Sequence, residues 1–96
     1  MIRAARTDEN QKTIVDYLRK NHMEVQHLHS VGKGCPDLLV GYKNVNVLLE
    51  IKRDKTKKLT PDQVIWHHNW QGQVATVATS EEAYNAVMEQ VQKLKK

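Results

Sequence analysis

Three residues stand out for the chemistry they could do together. Asp37 follows Pro36 at the head of the apolar run Leu38-Leu39-Val40, in the segment Gly34-Cys35-Pro36-Asp37. After twelve intervening residues, Glu50-Ile51-Lys52 closes a second apolar run, Val45 to Lys52 (VNVLLEIK). Alternation along a strand places Glu50 and Lys52 on one face, with Val47, Leu49 and Ile51 on the other. Charges that interrupt so apolar a strand are costly unless they are paired or bound to a metal. Two carboxylates can hold a divalent cation such as Mg²⁺ through oxygen. Such a cation neutralises a phosphate and lowers the pKa of bound water. A lysine beside it can orient or deprotonate the attacking water, or stabilise charge in the transition state. A buried acid–lysine salt bridge with no catalysis is the competing reading of Glu50 and Lys52. The upstream Gly-Cys-Pro-Asp segment weighs against it.

The elements that must position these groups can be read along the chain. A first helix is expected from about Asp8 to Lys20, capped by Thr7 or Asp8, with Ile14, Tyr17 and Leu18 as its buried stripe and Asn21 as its stop. Glu24 to His29 reads as a strand. Residues 30–36 (SVGKGCP) form a glycine-bearing turn. The strands Asp37 to Tyr42 and Val45 to Lys52 flank the short turn Lys43-Asn44, which makes them an antiparallel hairpin. After the charged loop Arg53 to Leu59, Thr60, Pro61 and Gln63 spell an N-cap, a first-turn proline and a capping box. Gly72 is expected to close that helix. Gln73 to Ala78 reads as a strand. A third helix follows, capped by Ser80, with Val87, Val91 and Leu94 on its buried side. The order is α-β-β-β-α-β-α. The fold class is α/β, with a mixed central sheet and flanking helices.

Length and composition bound the rest. A chain of 96 residues is read as a single domain spanning 1–96, with 40% apolar residues to build one core. Lysine and arginine number 15 against 11 acids, for a net charge of +4. That favours an anionic partner, a phosphate backbone before a membrane surface, because the charges are not gathered on one amphipathic helix. A single cysteine, Cys35, excludes an intrachain disulfide and fits a reducing cytoplasm. No run reaches membrane-spanning length, and no signal peptide is visible.

The ordered set GCPDLLVGYKNVNVLLEIKR, LTPDQVIWHHNW and GQVATVA resembles the PD-(D/E)xK nuclease superfamily. More narrowly, it resembles the stand-alone VRR-NUC domains of phages and bacteria, which are similar to the archaeal Holliday junction resolvases. The likeness runs from about Thr7 to the last helix. It departs from the Val-Arg-Arg name at Ile51, Lys52 and Arg53, while leaving the ExK element intact. The resemblance implies a restriction-endonuclease-like core and a Mg²⁺- or Mn²⁺-dependent endonuclease. Branched DNA, Holliday junctions included, would be its substrate, cut by a homodimer in a bacterial host cytoplasm. It implies a catalytic set of Asp37, Glu50, Lys52, Glu9 and Gln63, with Asp37, Glu50, Ile51 and Glu9 at the metal. Ser30, Lys33, Arg53, Lys55, Lys57 and Lys58 would contact nucleic acid. A less selective or flap-cutting nuclease, or a non-catalytic nucleic-acid-binding module, is the alternative.

Other residues carry weaker signals. Glu9 also suits a helix end, and Gln63 also suits the capping box. His27 and His29 share metal-ligand spacing and His67 and His68 adjoin, but no standard zinc motif frames them. Trp66 and Trp70 are one helical turn apart, which favours core packing over base stacking. Cys35 is read as filler beside Asp37.

Overall fold

The computed structural model describes the backbone of residues 2–54 and 56–95 and the side chains of 10–54 and 56–95. Helix α1 (Ile2–Lys20) is followed by β1 (Glu24–His27), β2 (Leu38–Tyr42), β3 (Val45–Ile51), α2 (Pro61–Asn69), β4 (Val74–Val77) and α3 (Ser80–Leu94). The four strands form one open mixed sheet in the order β1-β2-β3-β4. The first two pairings are antiparallel and β3–β4 is parallel. The expected element order is the observed one. No helix among the described residues is long and apolar enough to cross a membrane.

The hairpin between β2 and β3 turns through Lys43 (φ 48°) and Asn44 (φ 70°), both left-handed. Two such residues make the turn whose twist matches that of paired strands. Its register sets Leu38 against Leu49 and Tyr42 against Val45. Parallel pairing of β3 with β4 requires a crossover, and α2 supplies it. Alternation then divides β3. Val47 and Leu49 join Ile14, Leu18, Leu38, Val40, Val77, Ala83 and Val87 in the core under α1 and α3. Leu48 and Glu50 point to the opposite face, where α2 lies.

Several boundaries differ from those expected. Helix α1 begins at Ile2, so Thr7 and Asp8 are helical and do not cap it. Among its described side chains the buried ones are Ile14, Val15 and Leu18; Tyr17 is 40% exposed and meets Tyr84 of α3 edge-on. The helix ends on His22 (φ 70°), whose amide bonds Arg19 O while Met23 N bonds Leu18 O. This is the helix-ending pattern usually built on glycine, with buried Met23 against Leu18 as its apolar contact. β1 stops at His27, short of His29. Thr79, one residue before the expected cap, accepts the Glu82 amide at the start of α3. The Glu82 carboxylate in turn accepts the Ala78 amide at 2.7 Å, which draws the cap forward. Val87 and Val91 are buried as expected, but Leu94 is 58% exposed at the end of the helix.

Candidate active site

Pro36 is buried and brings the chain into β2. Asp37 is then held from both sides: its amide donates to Leu49 O (3.0 Å) and its carbonyl accepts from Leu28 N (2.8 Å). One carboxylate oxygen, Oδ2, accepts the Ile51 amide at 2.7 Å. Asp37 therefore crosses from β2 to the end of β3, where Glu50 lies on the α2 face. Glu50 is 3% exposed and is the single buried charged residue among those described. The Asp37 carboxyl lies close enough to act on it electrostatically. Burial, and then the neighbouring Asp37 carboxylate, push Glu50 up to about 8.

Helix α2 completes the cluster. Thr60 caps it, accepting the Gln63 amide at 3.2 Å, while Gln63 Oε1 accepts the Thr60 amide at 2.9 Å. The other end of the same amide group, Gln63 Nε2, donates to Glu50 Oε2 at 2.9 Å. Gln63 thus locks the helix start and aligns the buried carboxyl at once. One turn on, His67 Nε2 lies 3.8 Å from Glu50 Oε1. Both atoms are buried and neither has a hydrogen-bond partner. Burial lowers the His67 pKa, which favours the neutral imidazole. Cys35 lies near both acids, and burial together with Glu50 and Asp37 raises its thiol. A raised thiol is a poor nucleophile, consistent with its reading as filler.

Gly34 explains why α2 can come so close. Its φ is +84°, and a Cβ there would meet Asp62 O at 2.4 Å. The turn before Asp37 thus packs backbone to backbone on the first turn of α2.

The structure brings Asp37, Glu50 and Gln63 together, with the Ile51 amide on Asp37. Lys52 is half-buried, and among the described residues its ammonium group makes no ion pair. It lines a cleft between β4 and α3 that also holds Glu82, Asn85 and Glu89. Its backbone continues the sheet, the amide donating to Val77 O. The Glu9 side chain and Lys55 lie outside the described residues. Asn10, the next residue, donates to Lys52 O at 3.0 Å and so fixes that turn of α1 at the end of β3. Ser30, Lys33, Arg53, Lys57 and Lys58 are exposed. Of these, Lys33 lines a cleft along α2.

His67 and Asn10 were not assigned to the site from sequence. The signal for His67 is its spacing of four from Gln63, which puts both on one helix face. Asn10 had no signal beyond its place next to Glu9. His27 and His29 are exposed, their rings edge-on with centroids 6.0 Å apart. No group of three or more His, Cys, Asp or Glu placed to hold a metal occurs among the described residues.

The donors present nonetheless suit a hard cation. Mg²⁺ keeps several waters and is commonly held through one or two carboxylates. Asp37 and Glu50 supply two adjoining ones, and Glu50 Oε1 is buried with no partner. A positive charge there would relieve both the desolvation and the mutual repulsion of the pair. Compared with protein families, curated proteins and solved structures, the chain matches none.

Proposed function

We propose that this chain is a metal-dependent endonuclease with a restriction-endonuclease-like core, hydrolysing DNA phosphodiesters with Mg²⁺ or Mn²⁺. The observation that carries the reading is the buried Glu50 beside Asp37 at the end of the central strand, with one carboxylate oxygen unpartnered. A merely structural acid at that position would be expected to have its oxygens satisfied.

Asp37 and Glu50 would hold the cation, with Glu9 and the Ile51 backbone completing the set that the resemblance implies. When bound, the cation supplies phosphate neutralisation and a more acidic water. Gln63 keeps Glu50 Oε2 engaged, leaving Oε1 as the free oxygen. Asp37 is fixed by the Ile51 amide on Oδ2, which leaves its other oxygen for the cation. Lys52 supplies the positive charge at the strand end, either to orient the attacking water or to balance charge on the phosphate. Arg53, Lys57 and Lys58 are exposed on the loop that follows, where a DNA backbone would lie. In this reading the substrate is branched DNA and the acting form is a homodimer. Two copies related by a two-fold axis match the two-fold symmetry of a four-way junction. The setting is the cytoplasm of a bacterial cell.

The test offers the purified chain a mobile four-way junction, a linear duplex and single-stranded DNA, each with Mg²⁺, Mn²⁺ or EDTA. Paired nicks on the junction, abolished by EDTA, are expected. Equal cutting of all three substrates would keep the active site and remove the junction assignment. DNA binding without cutting under any metal would replace the enzyme reading with a binding module.

A further inference from the structure

The outer face of α2 forms an open cleft with the turn before Asp37. Ile65, Trp66, Asn69 and Trp70 line it, with Lys33 and Asp62 at its rim. The two indoles are stacked, with centroids 4.6 Å apart and planes 18° from parallel. They are not part of the core, contrary to the packing role expected of them, and Trp70 is 45% exposed. Gly72 does not close α2 either, since the cap is Trp70, whose amide bonds Trp66 O. Instead a Cβ at Gly72 would come within 2.9 Å of Trp70 Nε1, so Gly72 makes room for the indole edge. Trp70 is therefore pinned between Trp66 and Gly72 while remaining open to solvent. Trp66 also meets His67 edge-on at 6.2 Å, and His67 faces Glu50. The cleft and the acidic cluster are two sides of one helix.

We propose that this cleft seats an unpaired nucleobase of the DNA substrate, stacked on Trp70, with Lys33 at the adjoining phosphate. Every base offers a π-face to a rigid aromatic, and a nearby cation follows the backbone. Asn69 and Asp62 supply polar contacts beside the apolar surface of Ile65, Trp66 and Trp70. The proposal rests on the nuclease reading for DNA as its ligand. It adds that the substrate must present a base outside the duplex, as a branch point, gap or flap does.

The experiment measures binding of labelled oligothymidylate and of a blunt hairpin duplex in EDTA, by anisotropy, with light scattering alongside. Trp70→Ala is expected to weaken oligothymidylate binding about tenfold or more, with duplex affinity unchanged. Trp70→Phe, which keeps an aromatic face, should retain most of it, and Lys33→Ala should lower the salt dependence. Wild-type affinity for oligothymidylate in Trp70→Ala would overturn the proposal. So would a fall in molar mass with DNA binding unaltered, which would assign the cleft to a second copy. Cleavage is scored separately. Stacking without metal-dependent cutting upholds the cleft and sinks the nuclease reading, whereas cutting with a silent Trp70 does the reverse.

Discussion

Replacing Glu50 with glutamine is expected to abolish metal-dependent cleavage and, in metal-free protein at pH 8, to raise the unfolding midpoint. The opposite signs have one cause. Glu50 is 3% exposed and lies against Asp37, so its ionised form is disfavoured and its pKa is raised from 4.5 to about 8. The folded state therefore binds a proton that the unfolded state has released. Stability is fully present below pH 4.5 and is lost as pH rises toward 8. The cost is on the order of several kcal/mol, a large share of the stability of a small domain. Glutamine mimics the protonated acid and keeps the contact with Gln63 within reach of its amide. The variant should thus show a nearly flat midpoint across that window, where the wild type declines. A divalent cation should restore the wild type at pH 8 and leave the variant unmoved. Thermal melts with EDTA and with Mn²⁺ check this, and a wild-type midpoint that rises between pH 5 and pH 8 would contradict it.

Gly34→Ala should cost far more than Gly32→Ala, although both positions are left-handed. The φ values are +84° and +77°, so the backbone penalty of about 1–3 kcal/mol is shared. At Gly32 nothing lies within 4 Å of an added Cβ. At Gly34 the Cβ would meet the Asp62 carbonyl oxygen at 2.4 Å and its carbon at 2.7 Å, and both are backbone. Either the turn or α2 must retreat. Retreat of α2 draws Gln63 away from Glu50 and opens the cluster, so cleavage should fall at least about tenfold beyond any loss of folded protein. Denaturant melts and cleavage rates of the two variants side by side measure the difference. Equal behaviour would mean that the close approach of turn and helix is not needed.

The parts of this chain legible in sequence were those set by local chemistry. Thr60, Pro61 and Gln63 announced the start of α2, and Lys43-Asn44 between two apolar runs announced the hairpin. Alternation in β3 correctly separated Glu50 from Val47 and Leu49. The ends of helices were less legible, because their caps were settled by tertiary contacts. His22 took the left-handed position without being glycine, since Met23 had to return to Leu18. Glu82 accepted the Ala78 amide and so moved the cap of α3 to Thr79. The candidate site was legible where residues share a hairpin, as Asp37 and Glu50 do. It was not legible where distant elements meet: nothing in the spacing of Asn10 and Lys52 shows that α1 is tied to the end of β3. The tryptophans misled for a related reason. Their helical spacing matches a core stripe, but the face of α2 that meets the sheet is the one bearing Gln63 and His67.

Helix α2 contains no fully buried residue, and its attachment runs largely through a turn glycine and one amide-to-carboxyl bond. Such a helix is a low-stability unit: it can lift from the sheet at a free energy below that of global unfolding, while the strands and the other two helices stay folded. The acidic pair is then sealed by a hinged cover rather than by the core. Were a cation to bind at Glu50, its entry would depend on the opening of this one nine-residue segment.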